Sequence, residues 1–109
     1  METLLVFTHL PDAVSAQKLA SKLIEQRVAA CVNILAPCRS VYRWQGKIEN
    51  AEEVPLLIKT TAERYAALEQ AIRAQHPYEL PEIVAVPVSK GLPAYLDWVA
   101  EETRENPEN

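Results

Sequence analysis

Residues Val41 to Thr60, VYRWQGKIENAEEVPLLIKT, set the terms for the rest of the chain. Val41, Tyr42 and Trp44 crowd one end, and Val54, Leu56, Leu57 and Ile58 the other. β-branched and aromatic side chains of this kind favour strand. Gln45-Gly46 lies between them, and a glycine there supplies the positive φ that a two-residue turn requires. The stretch predicts a β-hairpin. Counted back to Ala30 and forward to Thr60, each arm runs about fourteen residues, or roughly 45 Å. A compact chain of this length has a radius of gyration near 13 Å, hence a diameter of about 35 Å. A hairpin longer than its own domain carries its tip outside, and this tip bears Tyr42 and Trp44. They are expected to be interface residues, with a second copy of the chain as the first candidate partner.

The same stretch demands a defect in its ladder. Ala30, Val32 and Ile34 share one face of the first arm, and Cys31, Asn33 and Leu35 the other. On the second arm Val54, Leu56 and Ile58 oppose Leu57 and Lys59. A perfect ladder closed by Gln45-Gly46 sets Trp44 against Lys47 and Val32 against Lys59. That lays an apolar row on a mixed one, which a buried face does not tolerate. One extra residue in the first arm corrects the register. Ala36-Pro37-Cys38 is the place for this β-bulge, because Pro37 has no N–H to give to a ladder.

Around the hairpin the chain alternates strand and helix. Leu4-Leu5-Val6-Phe7 is apolar on both faces and reads as a central strand. Ala16, Leu19, Ala20, Leu23 and Ile24 recur at helical spacing from about Ala13 to Arg27, with Asp12 or Ser15 as cap. Thr60 or Thr61 is expected to cap a second helix, about Ala62 to Gln75, that buries Tyr65, Leu68 and Ile72. His76-Pro77 ends it. Ile83 to Val88 reads as an edge strand because of Pro87. Pro93 opens a last helix to about Arg104, with Tyr95, Leu96 and Val99 inward and Trp98 beside them. Glu105 to Asn109 is expected to fray. The order β-α-β-β-α-β plus a helix is α+β and ferredoxin-like: an antiparallel sheet with helices on one face. The other face, with Leu5 and Phe7, needs cover from elsewhere.

The 109 residues make one domain, 1–109, and 49% of them are hydrophobic, which excludes a disordered chain. The 11 basic and 15 acidic residues leave a net charge of −4, which argues against a nucleic-acid surface. No apolar run approaches a membrane span, and METLLVFT has no basic leader, so the chain reads as soluble and cytoplasmic. Cys31 and Cys38 on one extended strand lie roughly 20 Å apart at Cα, beyond the ~7 Å reach of a disulfide. With two glycines, Gly46 and Gly91, there is no phosphate loop. Nucleophile-elbow and zinc-type spacings are also missing, and the chain does not read as an enzyme.

The polar residues that stand out are Cys31, Glu53, Lys59, His76, Tyr78 and Glu82. Cys31 suits a small buried position or a soft ligand for copper. His76, at a helix end beside a rigid Pro-Tyr loop, suits either a terminal hydrogen bond or a metal or anionic ligand. Lys59 in an apolar strand must snorkel or find a carboxylate, with Glu82 and Glu53 the candidates.

Taken together, RVAACVNI at Arg27–Ile34, VYRWQGKIE at Val41–Glu49, EEVPLLIKT at Glu52–Thr60, HPYELPEIVAVPV at His76–Val88 and YLDWV at Tyr95–Val99 resemble the CutA family of divalent-cation-tolerance proteins. The resemblance implies a ferredoxin-like fold and a homotrimer similar to the PII signalling proteins. It implies that the long hairpin and the last helix, hence Tyr42, Trp44 and Trp98, build the subunit contacts. It further implies binding of a divalent metal, copper foremost, in metal tolerance. Some bacterial members carry a Cys after the first strand and a His-His pair before Pro-Tyr. Thr8 and Gln75 stand at those positions here, which leaves His76 and Cys31 as the expected ligands. The alternative is a PII-like module that binds a small anionic ligand at subunit clefts through Lys59, His76 and Tyr78, with Glu53 and Glu82 nearby. Such a module regulates a protein partner, here unidentified. RNA-recognition and acylphosphatase-type domains share the element order, but this sheet lacks the former's paired aromatics. Thr8 to Asp12 supplies no arginine loop for the latter.

Overall fold

The computed structural model describes residues 2–105. Its elements are β1 (Thr3–Leu10), α1 (Ala13–Glu25), β2 (Cys31–Ile34), β3 (Cys38–Trp44), β4 (Lys47–Thr61), a 3₁₀ turn (Ala62–Arg64), α2 (Tyr65–Gln75), β5 (Val84–Pro87) and α3 (Pro93–Glu102). The strands lie in the order β2-β4-β1-β5, with β3 continuing β2's line along β4. That is the ferredoxin-like order. β1 is central, as its two-sided apolar run requires, and β5 is an edge strand, where Pro87 is tolerated. The expected fraying beyond Glu105 falls outside the described residues.

The bulge stands where the parity argument put it. Ile34 pairs with Leu56 and Cys38 with Glu53. Leu35, Ala36 and Pro37 therefore face only Val54 and Pro55. The extra residue brings Val32 opposite Ile58, so that the two apolar rows meet. It also keeps Cys38, Ser40, Tyr42 and Trp44 on the same face of the ribbon as Glu53, because β4 runs through unbroken. Gln45 and Gly46 turn with φ of 50° and 81°, the doubly left-handed geometry of a tight hairpin. The molecule measures 46 × 31 × 23 Å. Only the outer part of the hairpin is free, since Val54 to Thr61 of β4 also pairs with β1.

The sheet has two unlike faces. The inner one carries Val6, Leu10, Val54, Leu56 and Ile58 under Ala16, Leu19 and Leu23 of α1 and Leu68 and Ile72 of α2. Ile58, Val6, Leu68 and Ile72 have no exposed surface. The outer face carries Leu5, Phe7 and His9 of β1 opposite Lys59, Leu57 and Pro55 of β4. Val84 and Val86 of β5 extend it and are 50% and 44% exposed.

Asp12, one of the two expected caps, closes α1 by accepting the Ser15 N–H at 2.8 Å. Three local details differ from the sequence expectations. Neither Thr60 nor Thr61 caps α2. Thr61 makes no capping bond, and the Thr60 hydroxyl is spent on the Val28 carbonyl at 2.8 Å, tying β4 to the segment after α1. Tyr95 does not point inward: Tyr95 and Trp98 are about two-fifths exposed and stack on each other at 5.5 Å, while Val99 is the buried residue of α3. α1 stops at Glu25, two residues short, because Arg27 turns left-handed at φ 58°. That conformation costs a non-glycine residue about 1 kcal/mol. Its guanidinium meets α3, donating to the Arg104 carbonyl at 2.8 Å and the Glu101 carbonyl at 3.0 Å. Cations suit a helix C-terminus, and this contact fixes the end of α3.

Candidate functional site

Two polar centres lie at opposite ends of the outer face. The first is a groove of about 920 Å³ between the base of the hairpin and the loop after α2. Ser40, Tyr42, Trp44, Ala51 and Glu53 form one wall, His9 the floor, and Pro77, Tyr78, Leu80 and Glu82 the other wall. The loop is held by His76. Its Nε2–H donates to the His9 carbonyl at 2.6 Å, and its Nδ1 accepts the Tyr78 N–H at 3.2 Å. Burial pushes the imidazole's pKa down, opposed by the bond to the His9 carbonyl and by the Glu53 charge. A neutral ring is what this pattern needs, because only a neutral ring accepts at one nitrogen while donating from the other.

Tyr78 continues the network. Its hydroxyl donates to Glu53 Oε2 at 2.8 Å, and Glu53 is only 8% exposed. Burial, then the Glu53 carboxylate, raises the phenol's pKa well above the usual range. Tyr78 is a locked hydrogen-bond donor, not an acid. Across the groove His9 Nδ1 lies 3.2 Å from Glu82 Oε1, within ion-pair distance. No hydrogen bond to His9 Nε2 is present among the described residues.

The second centre is at the other end of β4. Cys31 pairs directly with Lys59 across the ladder. Lys59 Nζ lies 4.0 Å from Cys31 Sγ and donates to Asn33 Oδ1. The carboxylate partner expected for Lys59, Glu82 or Glu53, is therefore corrected. Asn33 takes that role because the register sets it two residues along on the same face, out of reach of the groove. Tyr95 of α3 overhangs the pair. Its phenol is raised by burial first and by the adjoining Cys31 second. Both Cys31 and Cys38 are free thiols.

The structure thus gathers Glu53, Tyr78, Glu82, Tyr42 and Trp44 around one groove and leaves Lys59 and Cys31 out of it. Within one subunit His76 and Cys31 do not share a site. Cys31 is level with Leu5 through Lys59, whereas His76 meets β1 at His9, four positions on, or about 13 Å. Both His76 ring nitrogens are already engaged within the chain. Lys59, His76 and Tyr78 likewise do not line one cleft of a single subunit, and the groove wall offers carboxylates to an anion. Trp98 lies exposed on α3, beside Tyr95. Thr8 is buried on the inner face, under the helices. His9 and Asn33 gain their importance only here. The signal for His9 was its place in the row Leu5-Phe7-His9, all on the outer face.

No group of three His, Cys, Asp or Glu side chains converges on one point among the described residues. Residues 4–102 match the family model of the CutA1 divalent ion tolerance protein. The chain belongs to the CutA1 family. It is 44% identical over 103 residues to the divalent-cation tolerance protein CutA of Thermus thermophilus, covering 94% of this chain and 99% of that one. It is 42% identical to the protein CutA of Mus musculus over 97 residues, 89% of this chain but 55% of the longer mouse protein. The crystal structure of CutA from Xylella fastidiosa superposes with a TM-score of 0.92 at 46% identity, over 95% of this chain and all of that one. The CutA1 description names tolerance to divalent ions and no reaction. No helix among the described residues is long and apolar enough to cross a membrane.

Proposed function

We propose that this CutA1-family chain, acting as one ferredoxin-like unit over residues 1–109, contributes to divalent-cation tolerance by binding the ion itself. Copper(II) is the first candidate. One observation carries the reading: His9 lines the groove with its Nδ1 3.2 Å from the Glu82 carboxylate. A carboxylate that fixes the tautomer of an imidazole is the usual companion of a metal-ligating histidine. Imidazole nitrogen suits copper, and copper tops the affinity order of the divalent first-row metals. His9 is the ligand and Glu82 orients it, while His76 holds the loop that carries Glu82.

One subunit offers too few ligands for a tight site, so the remainder come from a neighbour. A homotrimer that meets over the outer sheet face supplies them and covers Leu5, Phe7, Val84 and Val86. Tyr42, Trp44 and Trp98 are the aromatics of that contact. Free thiols at Cys31 and Cys38 suit a reducing, cytoplasmic setting.

Calorimetric titration with copper(II), on protein whose mass in solution is measured in parallel, tests the reading. His9→Ala is expected to abolish binding. Glu82→Gln weakens it about 10- to 100-fold, as expected when the group orienting a ligand is lost. His76→Ala, if folded, retains His9 and binds. Full copper affinity in His9→Ala defeats the assignment.

A further inference from the structure

Cys31 and Lys59 stand in two of the most distinctive stretches of the sequence, Ala-Ala-Cys and Lys-Thr, yet neither belongs to the groove. Their surroundings are unusual for a salt-bridging lysine. Among the described residues no carboxylate lies within ion-pair distance of Lys59 Nζ. Its neighbours are the Cys31 sulfur at 4.0 Å and the Asn33 amide oxygen. The thiol also points at Asn33 Oδ1, at 4.0 Å. The two reactive groups are thus convergent, held by one acceptor, on directly paired residues of adjacent strands. Both are half-buried under α3, where Tyr95 reaches the sulfur.

We propose that Cys31 and Lys59 form an oxygen-bridged Sγ–O–Nζ cross-link, a reversible redox tie between β2 and β4. In its formation the thiol loses its S–H bond and the neutral amine one N–H bond. One oxygen atom of dioxygen bonds to both Sγ and Nζ. The other leaves as water with the two hydrogens. Sulfur and nitrogen are each oxidised by two electrons, and dioxygen accepts all four. Two equivalents of a dithiol or phosphine reductant restore thiol and amine. A small rotation of the flexible lysine stem closes the present gap. Asn33 orients both partners, accepting from Lys59 and lying 4.0 Å from the Cys31 sulfur.

The bridge fastens the short edge strand β2, four residues long, to the continuous β4 just before the bulge. It lies at the far end of the outer face from His9, so copper binding and cross-linking are separable by variants.

Intact-mass spectrometry of the full chain, before and after prolonged exposure to air-saturated buffer, tests the proposal. The expected product is heavier by one oxygen and lighter by two hydrogens, and a phosphine reductant returns it to the starting mass. A digest of the wild type with a protease that spares lysine is expected to join the peptide holding Cys31 to the one holding Lys59. Lys59→Arg and Cys31→Ser lose the product, and Cys38→Ser keeps it. The wild-type peptide map decides the matter even where a variant fails to fold. Persistence of the product in folded Lys59→Arg overturns the proposal. So does an aerated wild type that shows no mass change, or shows only sulfenic, sulfinic or mixed-disulfide forms of Cys31.

Discussion

The two faces of one sheet have been treated differently by the same chain. Under α1 and α2, Val6, Leu56 and Ile58 are at most 1% exposed, and the layer is closed by the subunit's own residues. On the outer face α3 covers only part, and Val84, Val86, Tyr95 and Trp98 keep two-fifths to one half of their surface. A dry layer penalises a polar group without a partner, and the inner face is mainly aliphatic, with the buried Thr8 hydroxyl left without a partner among the described residues. The outer face is half-wet, and all the candidate chemistry is there: Cys31 with Lys59 at one end, His9 with Glu82 and Tyr78 with Glu53 at the other. Finishing the core in one layer leaves the other free for ligands and neighbours.

That contrast is open to direct attack. The largest effect belongs to the inner face. Ile58→Ala leaves a cavity in a closed layer and is expected to cost about 2–5 kcal/mol in urea unfolding. A loss below that range means the inner layer collapses onto the gap and is not closed. Next comes the groove. Tyr78→Phe takes the only donor seen among the described residues on the nearly buried Glu53 carboxylate and is expected to cost about 1–3 kcal/mol. Urea unfolding of the two proteins side by side checks it.

His76 gives a smaller, pH-controlled term. Its folded pKa is depressed below the ordinary 6.5 by burial. The unfolded chain therefore binds a proton first as pH falls, and stability drops between about 6.5 and the lower folded value. The contribution is complete above 6.5 and levels off below the folded pKa. Amide exchange of Tyr78, whose N–H is bonded to Nδ1, is expected to accelerate in the same window. A Tyr78 amide equally protected at pH 5 and 8 excludes this loop lock.

Least of all should Val86→Asp disturb the isolated subunit, since exposed sites shift stability by about 0.5 kcal/mol or less. On the trimer proposed above, its effect is expected in light scattering instead, as a fall to single-subunit mass with the far-ultraviolet dichroism unchanged. Trimer mass retained in Val86→Asp takes this edge of the outer face out of the subunit contact.

Some of this was written in the order of residues. The alternation of Val32 and Ile34 against Leu56 and Ile58 already required one surplus residue near Pro37, because strand side chains repeat every two residues and both arms had to bury the same row. Helix stripes, the Gln45-Gly46 turn and the edge strand at Pro87 followed from equally local rules. The partnerships did not. Lys59 chose Asn33 and Cys31 over any carboxylate, His76 spent both nitrogens on the backbone of its surroundings, and His9 found Glu82 from the far end of the chain. Such pairings depend on which strand ends and loops arrive together, and no local periodicity encodes that meeting. The pattern of apolar residues determined the sheet, its register and its bulge. Only the folded arrangement decided which polar side chains on the half-covered face would meet, because that depends on crossovers joining segments far apart in the chain.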